Sequence, residues 1–260
     1  AGLTRAPNVT ERPRGSRAAA FVGAGIFLSR VFGFVRERVF AHWFGASEFA
    51  DAWRAALRLP NVLQNLLGEG TLSASLIPVY AELLEQGREE DAGRFAGAAL
   101  GILAAVAAAL ALGGVLLAPV LVQVFFFEWS MEKQALTVTL TRILFPMTGV
   151  LVVSAWALGI LNTHRRFFVS YVAPVFWNLA MIATLVAGGL WLALGLEDLV
   201  VALAWGALAG GVLQLGVQIP FLLRHLKQGF RVSLGRGVPG VEEAVRNFGP
   251  VVAARGVVNL

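Results

Sequence analysis

Three runs of this 260-residue chain carry no charged side chain: Phe95 to Phe127, Phe167 to Leu196 and Leu199 to Leu223. Each exceeds the ~20 apolar residues that take a helix across a bilayer core. A backbone in lipid must satisfy its own polar groups, and runs of this length do so as helices. The expected class is an all-α, polytopic helical membrane protein. Composition agrees: 57% of residues are hydrophobic and 14% charged, against roughly 45–50% and 25% in soluble domains.

Apolar runs, periodicity and breakers give six spans, at 20–44, 49–84, 94–127, 135–161, 167–195 and 199–224. A seventh begins near Phe248. Residues 1–19 form a basic tail, with Arg5, Arg12, Arg14 and Arg17 against Glu11 alone. The apolar run behind it lacks a small-residue cleavage signature, so the first span is expected to be uncleaved. With a cytoplasmic tail, the second, fourth and sixth connectors are cytoplasmic too; together with the tail they hold thirteen Lys/Arg, whereas the opposite connectors hold only Lys133. The positive-inside rule then puts the N-terminus in the cytoplasm.

Pro60, Pro78, Pro119, Pro146, Pro174 and Pro220 fall inside the spans. Membrane helices tolerate such kinks when neighbours take up the freed carbonyls, and kinked spans suit a moving transporter, although Pro and Gly are also simply commoner in membrane helices. The connector 226–247 contains "GVEEAVRNFG", whose Val241, Ala244, Val245 and Phe248 have helical spacing. It reads as a short amphipathic helix on the membrane surface or as a solvated linker.

The stretch from Ser29 to Asn61 holds five arginines, two glutamates and Asp51 amid residues that otherwise read as span. In the second span Asp51, Arg54, Arg58, Asn61, Asn65 and Glu69 succeed one another at steps of three or four residues and line one helix face. The other face, with Ala52, Ala56, Leu59, Leu63 and Leu66, is apolar. Arg30 and Arg36 lie about 120° apart on the first span and can both reach a broad cavity.

A charge at mid-membrane costs ~2.5–3.5 kcal/mol on insertion scales, so these side chains must line a wet cavity or pair with one another. Asp51 can pair with Arg54, and Glu69 with another arginine, but the arginines outnumber these acids. A cationic cavity is an anion site, and guanidinium suits phosphate because its planar donors bind two oxygens at once. Alternatively, Arg36, Glu37 and Arg38 snorkel at a helix end, and Asp51 and Arg54 form an interfacial pair. Arg142 either snorkels or lines the same cavity.

Other chemistry finds no residues to carry it. Cysteine is absent, which removes disulfides, thiolate metal sites and cysteine nucleophiles. His42, His164 and His225 lack metal-ligand spacing. There is no Walker A pattern and no Ser/His/Asp arrangement, so neither an enzyme nor a cofactor is expected. The net charge of +5 is placed as membrane topology requires and implies no nucleic-acid partner.

The segments "SRVFGFVRE", "FGASEFADAW", "RLPNVLQNLLGEGTLSASLIPVYAE", "GILNTHRRFFVSYVAPVFWNLAMI" and "LAWGALAGGVLQLGVQIP" run in order from about residue 20 to 220. In them the chain resembles the MurJ (MviN) family of lipid II flippases, within the multidrug/oligosaccharidyl-lipid/polysaccharide exporter superfamily. The resemblance implies fourteen helices in the whole protein: two six-helix lobes around a central cationic cavity and a last pair forming a lipid groove. This chain would then be the six-helix N-terminal lobe, 20–225, with 248–260 starting the seventh helix and the C-terminal lobe. By the same resemblance Arg30 and Arg36 match first-helix functional arginines, Asp51 a second-helix acid, and Arg58 a basic position before "LPN". Family members often carry an arginine a few residues after "LPN"; here Gln64 and Asn65 follow. Either Arg54 or Arg58 compensates, or Gln64 binds with less charge.

The implied activity is transport of lipid II, the undecaprenyl-diphosphate-linked peptidoglycan precursor, from the inner to the outer leaflet of the bacterial inner membrane by alternating access. The implied partners are lipid II, membrane lipid, and a coupling cation or the membrane potential acting through the C-terminal lobe, in a monomer. The alternatives are an exporter of another polyprenyl-linked glycan, a membrane glycosyltransferase, and a non-transporting scaffold. A glycosyltransferase needs acidic metal-binding residues in a loop at the membrane face, and a scaffold needs no charge inside its helices.

Overall fold

The structure is a computed structural model describing residues 15–67, 72, 75–226, 228–248 and 250; for 15–22, 59, 63 and 66 only the backbone is described. The described residues contain helices and no strand. Glu69, the tail before residue 15 and residues 251–260 of the expected seventh span lie outside them.

The helices are α1 (Gly15–Phe44), α2 (Glu48–Leu67), α3 (Ile77–Glu85), α4 (Glu89–Phe125), α5 (Met131–Thr163), α6 (Phe167–Val186), α7 (Leu196–His225) and α8 (241–248). Among the described residues four stretches are long and apolar enough to cross a membrane: α4, α5, α6 with its extension to Trp191, and α7. The chain is an all-helical, multi-pass membrane protein. Leu112, Leu116, Leu117, Val120 and Val124 are exposed along α4, as are Trp205, Val212 and Leu213 on α7, the surface expected of helices solvated by lipid.

Local chemistry sets the helix ends. Gly45 closes α1 at φ +50°, its N–H donating to the Ala41 carbonyl, and Ser47 Oγ accepts from Ala50 N to open α2. Ser130 caps α5 by accepting from Lys133 N. Glu89, Glu90 and Asp91 begin α4, and Glu197 and Asp198 begin α7, where carboxylates favour the positive end of the helix dipole.

Of the expected second span, 49–84, the described residues place 49–67 in α2 and 77–84 in α3, with Leu72 and Ser75 helical between them. Pro78 lies in the first turn of α3 and lacks the N–H a continuous helix would use. Helical hydrogen bonds flank it, from Leu76 N to Leu72 O and from Tyr80 N to Leu76 O. The fifth span ends in a π turn, Ala187–Trp191, where Leu192 N reaches Ala187 O.

Helix α1 runs parallel to α6: Gly25 lies on Tyr171, Arg36 on Asn178, and Trp43 on Gly189. Helix α6 packs on α7, α7 on α5, and α5 is flanked by α2 and α4. The apolar interior forms two bodies. One, at the Phe44 end of α1, joins Phe40, Trp53, Leu140, Leu144, Met181 and Leu203. The other, at the far end of α5, joins Tyr80, Phe95, Leu103, Leu161, Leu222 and Val241.

Two features tie α4 to its neighbours. Pro119 deprives the Val115 carbonyl of its helical donor, and Arg142 Nε on α5 donates to that oxygen at 3.4 Å. Arg142 therefore serves the α4–α5 seam. Along the other side of α4 runs the segment 228–233 that leaves α7. A Cβ at Gly93 would stand 1.8 Å from the Gln228 carbonyl oxygen, at Gly97 2.1 Å from that of Arg231, and at Gly101 2.1 Å from that of Ser233. Only glycine admits this approach, which continues into α8, whose Val241 and Ala244 are buried.

Candidate functional site

The polar face of α2 is open. Asp51, Arg54, Arg58, Asn61 and Asn65 are all exposed, while Ala52, Trp53, Ala55, Ala56 and Leu67 are buried on the side facing the bundle. Of the apolar face read from the sequence, Ala52 and Ala56 are buried, on a helix that packs against α5, while the side chains of Leu59, Leu63 and Leu66 lie outside the described residues. Gln64 is half-buried at the edge of the open face, and Arg30 is exposed on α1.

Asp51 does not take Arg54 as its partner. Its carboxylate accepts from Lys133 Nζ at 2.9 Å, across the first turns of α2 and α5. The ammonium also lies 4.0 Å from the centroid of the Trp129 ring. This pair consumes the acid at one end of the stripe. Among the described residues Arg30, Arg54 and Arg58 have no acidic partner.

Arg36 is the most elaborately held of the sequence-predicted site residues. Its Nη1 donates to Asn178 Oδ1 at 3.1 Å, its Nη2 donates to Glu37, and its Cζ lies 5.2 Å from the centroid of the Trp177 ring. The side chain is 23% exposed, against 61% for Glu37. These groups edge a cavity of about 200 Å³ bounded by α1, α2, α6 and α7, with Phe40, Trp53 and Leu57 as apolar walls and Asn61 contributing from α2. The structure therefore joins Arg36 and Asn61 in one cavity. Arg30, Arg54, Arg58, Gln64 and Asn65 do not line it, and Asp51 lies at the helix end.

Sequence reasoning missed Trp177 and Asn178 as site residues. The available signal was a single amide inside a charge-free run, since a polar group within a span has to be satisfied by something. A second polar group of this kind joins α5 to α7: Ser154 Oγ donates to Gln218 Oε1 at 3.0 Å and accepts from Gln214 Nε2 at 2.9 Å.

At the far end of α5 lies a polar cavity of about 350 Å³ that includes Tyr80, Glu89, His164, Arg224, His225 and Gln228. His164 and His225 stack there, and a 2.9 Å hydrogen bond joins the Tyr80 hydroxyl to His164 Nε2. Desolvation holds His164 below the ordinary imidazole pKa, with the positive charges of His225 and Arg166 adding to the effect and Glu89 opposing it. Among the described residues no group of three or more acidic or histidine side chains is arranged to hold a metal ion.

A relative from Burkholderia cenocepacia named lipid II flippase MurJ is 38% identical over 208 residues, covering 79% of this chain and 40% of the relative. A probable lipid II flippase MurJ from Rhizobium tropici is 32% identical over 244 residues, covering 92% of this chain and 45% of the relative. The chain thus spans less than half the length of these two curated relatives. A solved structure described as lipid II flippase MurJ in an inward closed conformation superposes with a TM-score of 0.72 at 21% identity, covering 92% of this chain and 48% of that one. At that identity the superposition establishes the fold. The family model described as lipid II flippase MurJ matches residues 40–260, and with the relatives above it shows that this chain belongs to the MurJ family.

Proposed function

We propose that the protein containing this chain moves lipid II from the inner to the outer leaflet of the bacterial cytoplasmic membrane, and that this chain supplies the cationic wall on which the head group rides. The observation that carries the reading is the excess of guanidinium on the open side of α1 and α2. Arg30, Arg54 and Arg58 are exposed, Arg36 edges a cavity with Asn61, and Lys133 already occupies Asp51. Such a surface is costly in lipid and suited to a head group that carries a diphosphate and peptide carboxylates.

The chain's own residues then divide the work. Arg30, Arg36, Arg54 and Arg58 attract and orient the anionic head; Asn61, Gln64 and Asn65 offer neutral hydrogen bonds beside them; the polyprenyl tail remains in the bilayer. Several distributed contacts allow loading and release where one tight clamp would trap the substrate. Alternating access needs a second lobe, and the membrane potential can act on charges that move with the lobes, at ~2.3 kcal/mol per charge per 100 mV. The distribution of Lys and Arg supports a cytoplasmic N-terminus. The protein acts as a transporter and as a monomer.

The test is depletion of the full-length protein with lipid II followed by leaflet. Accumulation in the inner leaflet, relieved by wild type but not by R30A or R36A at equal membrane abundance, supports the reading. An unchanged leaflet distribution, or full rescue by both variants, rejects it.

A further inference from the structure

The Arg36 guanidinium is fixed by a chain of contacts that begins on two other helices. On α6, Asn178 is buried, and its Nδ2 donates to the Pro174 carbonyl at 3.2 Å. That bond selects the amide orientation, because the opposite rotamer would point an NH₂ donor at a guanidinium that has only donors. Oδ1 is thereby turned to Arg36 Nη1. Trp177 is secured in the same manner from α7: its Nε1 donates to the Ala207 carbonyl at 3.0 Å, and its ring lies beside Arg36. Gly210 makes room for it, since a Cβ there would come within 3.0 Å of Trp177 Cδ1.

We propose that Asn178 and Trp177 are positioning residues that hold the Arg36 guanidinium toward the cavity, in the orientation that receives a pair of phosphate oxygens. The proposal rests on the flippase reading above. Arg36 has five N–H donors. Asn178 takes one from Nη1 and Glu37 one from Nη2, and the remainder are available to a ligand. A guanidinium anchored on one edge and stacked on one face has few rotamers left, so its free edge stays directed where a bidentate contact is made. A buried amide in a charge-free helix is costly without partners. Here both of its ends are spent on orienting one arginine.

The experiment uses the full-length protein in detergent or nanodiscs and has two arms. In the first, phenylglyoxal modification of Arg36 is followed by peptide mass spectrometry with Arg30 as internal reference. N178A raises the Arg36 rate several-fold relative to Arg30; an unchanged ratio overturns the proposal. In the second, lipid II affinity falls about tenfold in N178A, as expected for loss of a hydrogen bond to a charged group, and N178A costs nothing further in an R36A background. An equal loss in both backgrounds reveals general structural damage and also overturns it. W177F, which removes the Nε1 donor to the Ala207 carbonyl and keeps an aromatic ring beside Arg36, gives the same pattern at smaller amplitude if Trp177 acts as described, and wild-type affinity if it does not. Failure of the wild-type protein to bind lipid II would reject the flippase reading, while the modification arm would still decide the positioning role.

Discussion

The imidazoles of His164 and His225 stack with centroids 4.3 Å apart and planes 15° from parallel, joining the C-terminal ends of α5 and α7. The native state disfavours charge on His164, whose pKa is lowered from 6.5 chiefly by burial. As pH falls through that value the unfolded chain binds a proton that the native chain does not, so the contribution of His164 to stability is complete above it and is progressively lost below it. The thermal midpoint of the full-length protein in detergent should therefore drop between about pH 7.5 and about pH 5.5, and H164N should flatten the slope. A slope identical in wild type and H164N would refute the assignment.

The glycine seam on α4 predicts an asymmetric pair of alanine substitutions. At Gly97 the new Cβ would meet the Arg231 carbonyl at 2.1 Å, whereas at Gly113 nothing lies within 4 Å. G97A is expected to destabilise by about 1–3 kcal/mol through overpacking, and to accelerate amide exchange in 228–235. G113A should be neutral, or stabilising by up to about 1 kcal/mol from helix propensity. Equal effects at the two sites would mean that the close approach is not maintained in the membrane.

Arg142 and Pro119 form a reciprocal pair. Removing Arg142 leaves the Val115 oxygen without its 3.4 Å donor, at an expected cost of about 1 kcal/mol. In a P119A background the helix regains its own N–H, and R142A should then cost almost nothing. A double-mutant cycle in denaturant reads the difference; additive losses would show that the arginine is not serving that carbonyl.

The ion pair of Asp51 and Lys133 asks whether the acid of the stripe is a strut or a ligand group. Asp51 is 53% exposed, so the pair is worth at most about 1 kcal/mol of stability. D51K/K133D exchanges the charges and preserves the contact. If the pairing is all that Asp51 supplies, this swap should support growth where D51K alone does not. Failure of the swap at normal abundance and stability would instead assign the carboxylate to substrate or to coupling.

Much of this architecture was legible because membrane helices obey few rules. The charge-free runs pointed to α4, α6 and α7, and the three-and-four spacing from Asp51 to Asn65 placed those residues on one exposed face of α2, of which Asn61 lines the cavity beside Arg36. Other parts depended on partners distant in sequence. Asp51 takes Lys133 over Arg54 because α2 and α5 start side by side, a fact no local spacing contains. Arg142 answers Pro119, on the preceding helix, and Asn178 answers an arginine 142 residues away. Gly93, Gly97 and Gly101 advertise a close approach by their spacing, but what lies against them is backbone of 228–233, which has no side-chain signature to read.

The seam also decides how force enters this bundle. A cord attached only at the last turn of α7 would swing about a single point. Laid along α4 for two helical turns, roughly 12 Å, the departing chain resists a longitudinal pull in shear, with its three contacts loaded together, and yields readily only when lifted from one end. Helix α8 therefore takes its heading from α4, and a tilt of that helix is handed on to it as a change of direction instead of being absorbed as slack.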